Sequence, residues 1–458
     1  MGSLVTQGPP SGPETLRPES YADMAQLIRD AEASRRPLVP VGLGNHLGAI
    51  DPLPPGAALL SLERLQKVLR YEPGDFTIGV QAGMPLDALR AHLAANGQEL
   101  PVDFAAAPRG TVGGALAQNR FGPRRARHGT LRQYLIGASG LRGGGRVYRA
   151  GGMVVKNVAG YDVMKLLVGS RGTLGPILEA NFKLRPIPGA SRARLARVGS
   201  AKEAWSLAQE IRVRALEPAV LSVLDPRASS ALAGALGRNG GGEAWTLLWS
   251  FEGNPGAVEW LEREVDSILA GHSGADPEPL PEEAYRRALD FLTAAREVDA
   301  AERERTLLFS LATLPSGGPA ASSALREALG ERVKDGGPGS WVISDAAGGI
   351  HLARASLGDA PQGANPSGRG GGAPRPPVFP PRSPRGDGRG GEVLERFARA
   401  AQRAEGVGRL LAAPPGLLAG RQRAPAAADP ADRVAERIRA AFDPRAIFGP
   451  QFSAGAAP

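Results

Sequence analysis

Glycine-rich turns beside predicted strands and helices are the feature that most limits how the first 190 residues of this chain can fold. The turn at 42–48 reads GLGNHLG and directly follows a predicted strand, LVPV. A second turn lies in APRGTVGGALAQN at 107–119, where Thr111, Gly113 and Gly114 stand at the mouth of a short predicted helix. Because glycine has no Cβ, each turn can bring main-chain N–H groups close to a ligand, and each is also compatible with an ordinary tight turn.

A third glycine-rich stretch, GGMVVKNVAGYDVMKLLVGSRGTLG at 151–175, combines a helical pattern with a tight turn. We predict that Asp162 caps a helix formed by VMKLLVG and that the turn at 170–175 precedes a strand. Such a turn can present N–H and C=O groups to a flat polar ring, whereas a capped helix packed on a sheet explains the same pattern. In the first case Gly172 and Gly175 are required because the ring leaves no room for side chains.

Apolar periodicity predicts an α+β fold for this region. The predicted elements are helices at 20–34 and 85–97 and strands at 38–41, 59–65, 75–83 and 177–186. Residues 177–186 alternate between apolar and polar, which is typical of a strand with one face in water. The longer helices and strands that follow Pro188 indicate a second α+β domain.

The distribution of glycine and proline suggests where domains end. The chain has 62 Gly and 41 Pro in 458 residues, and GANPSGRGGGAPRPPVFPPRSPRGDGRGG contains many of them. A segment with so few core-forming residues is expected to be disordered. The predicted divisions are a flexible N-terminus at 1–17, a first domain at 18–188, a second at 189–357, a disordered insert at 358–391, and C-terminal helices at 392–458 that complete either domain.

Composition excludes several classes of protein. The absence of cysteine rules out disulfides, cysteine-ligated zinc or iron–sulfur centres and a cysteine nucleophile. The net charge of +9 comes from scattered arginines without a basic block interleaved with aromatic residues, so no nucleic-acid partner is predicted. Without a signal-like start or an apolar run of about 18 residues, the chain is expected to be cytoplasmic and not inserted in a membrane.

The order of the glycine motifs resembles that in the flavin-binding domain of the PCMH-type, or vanillyl-alcohol oxidase, flavoproteins. Neither the dinucleotide motif G-x-G-x-x-G after a strand nor the P-loop motif is present. The matching motifs are PVGLGNHLG at 40–48, VQAG at 80–83, TVGG at 111–114, KNVAGYD at 156–162 and GSRGTLG at 169–175. Within that family, PRRARHG at 123–129 and AFDPRAIFGP at 441–450 are similar to the FAD-binding E subunit of bacterial glycolate oxidase.

The resemblance implies a two-subdomain PCMH-type FAD-binding domain followed by an α+β cap domain. The 40–48 loop and the 111–114 turn would hold the FAD diphosphate, and the 169–175 segment would lie near the isoalloxazine end. The implied cofactor-binding residues are Gly42, Gly44, Asn45, His46, Thr111, Gly113, Gly114, Arg125, Gly129, Asn157, Gly160, Tyr161, Asp162, Gly172, Thr173, Leu174 and Gly175.

The first loop also bears on how FAD is held. Several members of the family tether FAD covalently through a histidine in a Gly-Gly-His setting. The sequence GLGNH places Asn45, and not His46, at that position. We therefore predict non-covalent FAD.

Oxidation of a 2-hydroxy acid needs a base for the hydroxyl proton and a cation for the carboxylate, with the flavin as hydride acceptor. No two of the five histidines stand at metal-ligand spacing, so no metal site is predicted. His351, near the end of the second domain, is the candidate catalytic residue, with a structural histidine as the alternative. Arg124, Arg125 and Arg127 beside His128 could bind a carboxylate or an FAD phosphate, or form a solvated basic turn.

Two functions remain open. In the first, the chain is an electron-transfer or accessory FAD subunit of a glycolate oxidase complex, with a second FAD subunit and an iron–sulfur subunit as partners. In the second, it is a stand-alone FAD-dependent dehydrogenase that oxidises glycolate or a similar 2-hydroxy acid itself. The absence of histidines at metal-ligand spacing in the cap domain favours the first function, the accessory FAD subunit. In that case partner subunits could also bring the chain to a membrane.

Overall fold

The structure is a computed structural model, and its described residues form two compact units. It describes residues 13–45, 47, 53–104, 110–154, 161–239, 242–272, 274–298, 302, 306–330, 340–356, 389–413 and 430–448. Unit 1 comprises Met1–Ile187 together with Gly420–Gly455, and unit 2 comprises Pro188–Ala419 together with Ala456–Pro458. The mixture of helices and strands in each unit confirms the predicted α+β class.

Unit 1 contains three small sheets. Its elements are β1 (Thr15–Leu16), α1 (Tyr21–Ala33), β2 (Leu38–Val41), β3 (Ala58–Ser61), β4 (Val68–Glu72), β5 (Thr77–Gln81), α2 (Leu86–Ala94), β6 (Gln98–Glu99), α3 (Val112–Gln118), α4 (Arg125–His128), α5 (Leu131–Tyr134), β7 (Leu135–Arg142), β8 (Arg146–Gly151), β9 (Ile177–Lys183) and β10 (Arg185–Pro186). A parallel sheet has the order β1-β3-β2, a five-stranded antiparallel sheet has the order β4-β5-β9-β7-β8, and β10 pairs with β6.

The first helix forms where its local signals predict. The side chain of Ser20 accepts the Asp23 N–H at 3.1 Å, and the Asp23 carboxylate accepts the Ser20 N–H at 3.1 Å. This capping box satisfies two N–H groups that the helix itself leaves without partners. Met24 and Ile28, one turn apart, are fully buried in the core of unit 1. The helix prediction for 20–34 is therefore confirmed.

Strand β9 follows the predicted alternation. Leu178, Ala180 and Phe182 are fully buried, while Lys183 at the end of the strand is partly exposed. The polar face does not interact with solvent alone, because Ser139 on the neighbouring strand β7 donates a 2.8 Å hydrogen bond to Glu179. The strand also ends earlier than predicted, since the chain leaves it after Lys183 and then pairs with β6.

Two local predictions in unit 1 are wrong. Residues 163–166 form a short 3-10 turn, closed by the Leu167 N–H to the Met164 carbonyl at 3.2 Å, and the Asp162 side chain makes no capping bond. The segment cannot continue as a helix because Gly169 takes a left-handed φ of +82°. Thr15 and Leu16, within the predicted flexible N-terminus, form strand β1 against β3.

Unit 2 is built on one eight-stranded antiparallel sheet. Its elements are β11 (Ala190–Val198), α6 (Ala201–Val213), β12 (Val220–Leu224), α7 (Pro226–Ala235), β13 (Trp245–Gly253), α8 (Pro255–Leu269), β14 (Asp276–Leu280), α9 (Glu282–Ala294), β15 (Thr306–Ala312), α10 (Gly318–Leu329), β16 (Trp341–Asp345), β17 (Ile350–Ser356), α11 (Arg389–Arg403) and β18 (Val407–Ala412). The strand order is β14-β11-β13-β12-β16-β17-β15-β18. Helices α7 and α9 cover one face, and α6, α8, α10 and α11 cover the other.

The C-terminal part of the chain is shared between the units. Helix α11 begins at Arg389, so its first three residues fall within the predicted disordered insert, and the rest of that insert lies outside the described residues. Helix α12 (Pro430–Phe442) and the described residues that follow it, 443–448, belong to unit 1. Among the helices that the described residues form, none has the length and apolar character needed to cross a membrane.

Candidate functional site

A cleft in unit 1 collects most of the predicted glycine turns. It is lined by residues 39–45 at the end of β2, by 110–115 at the start of α3, and by Arg171, Gly172 and Gly175. The cleft has a cavity volume of about 100 Å³ and is open to solvent. The sequence motifs at 42–48, 111–114 and 169–175 thus contribute residues to one place in the fold.

The loop after β2 offers a run of hydrogen-bond donors. Among the described residues, none accepts a hydrogen bond from the main-chain N–H of Gly42, Leu43 or Gly44. Gly44 has a left-handed φ of +75°, a backbone conformation that residues with a side chain rarely adopt. Consecutive N–H groups in such a turn form a concavity that binds anions. The loop can therefore hold a phosphate group without a charged side chain.

The turn at the start of α3 uses its own donors internally. Thr111 is the N-cap residue and its hydroxyl accepts the Gly114 N–H at 3.2 Å. The Val112 N–H donates to the Met84 carbonyl at 2.9 Å, and the Gly113 N–H donates to the Ala82 carbonyl at 2.7 Å. These bonds hold α3 against the β5–α2 connection. The 111–114 turn thus shapes the cleft, and the N–H groups of Val112, Gly113 and Gly114 already have acceptors within the protein.

The glycines of the cleft are required by contacts within the protein. A Cβ on Gly42 would lie 2.2 Å from Thr111 Oγ1, and one on Gly175 would lie 2.1 Å from the Leu141 carbonyl oxygen. A Cβ on Gly172 would make only ordinary contact, at 3.5 Å from Pro40, although its φ of +79° favours glycine. Our expectation that the flavin itself excludes side chains at Gly172 and Gly175 is therefore wrong for Gly175, where the chain's own backbone fills the space.

The segment 169–175 is fastened to α3. The Gly169 N–H donates to the Leu116 carbonyl at 2.9 Å, and the Arg171 N–H donates to the Ala117 carbonyl at 2.8 Å. The Thr173 hydroxyl donates to the Ser170 carbonyl at 2.7 Å, and the Leu174 side chain is buried in the core. Of the predicted contacts in this segment, only the two glycines line the cleft. The side chains of Thr173 and Leu174 are engaged elsewhere.

Two arginines that sequence reasoning missed also line the cleft. They are Arg120 and Arg171, and Arg171 lies inside the GSRGTLG motif, which was the available signal. Burial lowers the pKa of Arg120 to about 10 because the charged guanidinium loses hydration. Ser170 Oγ and Asn119 Oδ1 are buried nearby without a hydrogen-bond partner among the described residues. An anionic, hydrogen-bonding ligand would offset the desolvation of these groups.

Several predicted cofactor residues lie away from the cleft or outside the described residues. Arg125 stacks on the Phe121 ring at 4.7 Å, and Gly129 ends α4 with a φ of +80°. Tyr161 is 93% exposed and Asp162 is also exposed. None of these four lines the cleft. His46, Asn157 and Gly160 lie outside the described residues.

His351, the candidate catalytic residue, is a buried member of the unit 2 sheet. It has 0% exposure in β17, with Nδ1 2.9 Å from Ser344 Oγ and Nε2 3.0 Å from Thr313 Oγ1. Its ring lies 6.1 Å from that of Trp205, and burial lowers its pKa to about 4. Both ring nitrogens are therefore occupied by neighbours in the same unit. This is the environment of a structural histidine.

The other described histidines are also held by local contacts. His92 packs on Tyr71 at 5.1 Å, His128 Nδ1 lies 3.3 Å from Arg185, and His272 Nε2 lies 2.8 Å from Glu210. In the described part of the chain, no three His, Cys, Asp or Glu side chains come together as ligands for a metal ion.

The residues of the cleft fit a dinucleotide cofactor. Three consecutive N–H donors and two arginines suit a diphosphate, because both kinds of group bind phosphate oxygens. Val39, Leu62 and Ile177 supply apolar wall. The lining thus suits a ligand that is anionic in one part and apolar in another.

Comparison with known families agrees with this reading. Residues 14–164 match the family model described as FAD binding domain, and residues 187–332 match that of the FAD linked oxidases, C-terminal domain.

Three curated relatives share part of the sequence. D-2-hydroxyglutarate dehydrogenase of Xanthomonas citri pv. viticola is 37% identical over 178 residues, which cover 39% of this chain and 38% of the relative. Glycolate oxidase subunit GlcE of Escherichia coli is 34% identical over 46% of this chain and 59% of its own length. Glycolate oxidase subunit GlcD of Bacillus subtilis is 32% identical over 46% of this chain and 45% of its own length. The chain thus matches roughly half the length of these relatives.

The architecture also matches solved structures. A structure of alkyldihydroxyacetonephosphate synthase superposes with a TM-score of 0.67 at 18% identity, over 95% of this chain and 76% of that chain. At this identity the similarity concerns the fold alone. Together with the two family matches, it confirms the predicted architecture of an FAD-binding domain followed by an α+β domain.

Proposed function

Because the chain belongs to the PCMH-type FAD-binding oxidoreductases, we propose that it is the electron-transfer FAD subunit of a glycolate oxidase complex. The complex oxidises glycolate or a similar 2-hydroxy acid to the 2-oxo acid. Its other members are a second FAD subunit, which carries the substrate chemistry, and an iron–sulfur subunit that accepts the electrons. The similarity to two glycolate oxidase subunits supports this assignment. The complex acts in the cytoplasm or at a membrane to which the partner subunits bind.

FAD is the cofactor of this family, and when bound it supplies a two-electron acceptor. We place its diphosphate at the N–H groups of Gly42, Leu43 and Gly44, with Arg120 and Arg171 balancing the charge. The bond is non-covalent, because Asn45 stands where related flavoproteins have the tethering histidine. If denaturing gel bands of the purified chain fluoresce as flavin, the non-covalent assignment fails.

The observation that carries the subunit role is the burial of His351. A base for the hydroxyl proton must lie within hydrogen-bond reach of the substrate. His351 is fully buried, and Ser344 and Thr313 occupy its two ring nitrogens. Proton abstraction by His351 would require breaking these contacts, so the base is better assigned to the partner subunit.

A second candidate is a stand-alone dehydrogenase. The match of residues 187–332 to the C-terminal domain of FAD linked oxidases favours it, as does the similarity to a D-2-hydroxyglutarate dehydrogenase. In this case the chain itself would bind the 2-hydroxy acid and take its proton.

Anaerobic reduction of the flavin separates the two candidates. The isolated chain, loaded with FAD, is mixed with excess glycolate, and the visible flavin absorbance is followed. Under the proposed function the band bleaches only after the partner subunits are added. Bleaching by this chain alone would establish the stand-alone dehydrogenase. If glycolate does not bleach the flavin, the experiment is repeated with D-2-hydroxyglutarate. This repeat shows whether glycolate was simply the wrong acid for this chain.

A further inference from the structure

Residues 443–448, within the AFDPRAIFGP motif, form a loop that the proposed function does not yet explain. After α12 ends at Phe442, the Asp443 carboxylate accepts the Ile447 N–H at 3.0 Å and the Phe448 N–H at 2.7 Å. Asp443 is 7% exposed, and Phe448 is fully buried. A carboxylate with two N–H partners fixes a loop tightly, because the charged acceptor strengthens both bonds.

This loop is bonded to the strand that leads into the cleft. The Leu38 N–H, at the start of β2, donates to the Ile447 carbonyl at 2.8 Å. β2 then runs through Pro40, a cleft-lining residue, to the Gly42–Gly44 turn, whose N–H groups have no acceptor among the described residues. Three strand residues, 39–41, separate the bond at Leu38 from that turn.

The same loop also packs against a second segment that lines the cleft. Phe448 Cε2 lies 3.3 Å from the point where a Cβ on Gly175 would stand, and Gly175 lines the cleft. Phe442 makes an edge-on contact with Tyr148 of β8, with 5.1 Å between the rings. Pro444 Cδ lies 2.9 Å from the Cβ position of Gly143 in the β7–β8 turn. The loop therefore contacts the Gly175 turn and the β7–β8 turn, in addition to its bond to the strand that leads to the Gly42–Gly44 turn.

We propose that the Asp443–Phe448 loop sets the spacing between the Gly42–Gly44 turn and the Gly175 turn, and that Asp443 and Phe448 are positioning residues for FAD. The inference rests on the proposed placement of FAD in this cleft. Neither side chain lines the cleft itself, so each acts through the backbone that it holds. Loosening the loop should weaken FAD binding. The Gly42–Gly44 turn would then no longer be preorganised and would have to become ordered when FAD binds.

Matched substitutions separate positioning from general stability. Phe448→Leu and Phe182→Leu remove the same atoms from fully buried positions in one core, but Phe182 lies in β9 away from the cleft. Asp443→Asn is matched by Asp225→Asn in unit 2, since Asp225 is also buried and accepts two main-chain N–H groups, from Ala228 and Val342. All four variants should lower the free energy of unfolding.

FAD affinity is measured by titrating FAD into deflavinated full-length protein and following flavin fluorescence, under conditions where each variant is folded. Phe448→Leu and Asp443→Asn should raise the Kd about tenfold, while Phe182→Leu and Asp225→Asn leave it within about twofold. Equal Kd changes in the matched pairs, or none in the first pair, would overturn the inference.

A second readout does not depend on FAD. Amide hydrogen exchange in the apo protein should speed up in strand β2 (Leu38–Val41) in Asp443→Asn and stay unchanged there in Asp225→Asn. Unchanged exchange in β2 in Asp443→Asn would refute the positioning role. If the wild-type chain takes up no FAD, the proposed cofactor site fails, and the exchange measurement still decides whether the loop orders the strand that leads to the turn.

Discussion

Replacing His351 with glutamine should remove a pH dependence of folding that this residue creates in unit 2. The imidazole is held neutral by burial, which lowers its pKa to about 4, while Ser344 and Thr313 bond to its two nitrogens. In the unfolded chain the same group has an ordinary pKa of about 6.5. Glutamine offers a donor and an acceptor of similar reach but does not titrate between these values.

The sign and the size follow from proton linkage. Above pH 6.5 the ring is neutral in both states, so its contribution to stability is fully present. As the pH falls from 6.5 towards about 4, the unfolded chain binds a proton that the folded chain does not, and stability is lost. At about 1.4 kcal/mol per pH unit, the loss approaches about 3 kcal/mol and ends below the folded pKa.

Tryptophan fluorescence makes the assay specific to unit 2. All five tryptophans, Trp205, Trp245, Trp249, Trp260 and Trp341, lie in that unit. Urea unfolding followed by this signal at pH 7, 5.5 and 4.5 should show the wild type losing more stability than His351→Gln as the pH falls. Parallel losses in the two proteins would refute the reasoning. Loss of flavin bleaching in His351→Gln, with its unfolding unchanged, would instead support a catalytic His351.

Three further predictions concern the cleft. Gly175→Ala should destabilise the apo protein more than Gly56→Ala does, as measured by thermal unfolding. Both positions have a positive φ, which costs a residue with a side chain roughly 1–2 kcal/mol. Only at Gly175 would the new Cβ also lie 2.1 Å from a backbone oxygen. Arg171→Gln should raise the FAD Kd about tenfold, and the difference from wild type should shrink at high salt, since a phosphate contact is screened; equal Kd values at low salt would contradict this. Thr111→Val should cost about 1 kcal/mol in the free energy of unfolding through loss of the α3 cap, measured by urea titration, and an unchanged midpoint would count against the cap.

Local patterns in the sequence predicted elements where neighbours along the chain supply the stabilising contacts. Helix α1 was predicted from the helical spacing of its apolar residues behind Ser20, and the structure places Ser20 at its N-cap with Asp23 as its capping partner. The same logic was wrong at Asp162, where the capping residue type is present but the following segment turns at Gly169 before a helix forms. A capping signal predicts a helix only when the residues after it can continue one.

The site was predicted in part for a related reason. The motifs identified the turns around Gly42, Thr111 and Gly175, because glycine and N-cap residues mark such turns in any context. They did not indicate which turns have unused N–H groups. That depends on Ala82 and Met84, whose carbonyls take the amides at the start of α3.

The sequence by itself determined the α+β class, the order of the glycine turns and the resemblance that implies FAD, because these depend on residue type and on spacing within short segments. Tertiary structure alone decided that His351 is buried, that Gly175 faces the Leu141 carbonyl, and that a loop near residue 447 is bonded to Leu38. Each of these contacts joins residues that are not neighbours in sequence. No local pattern encodes such a contact, since its energy arises only when distant segments meet in the folded chain.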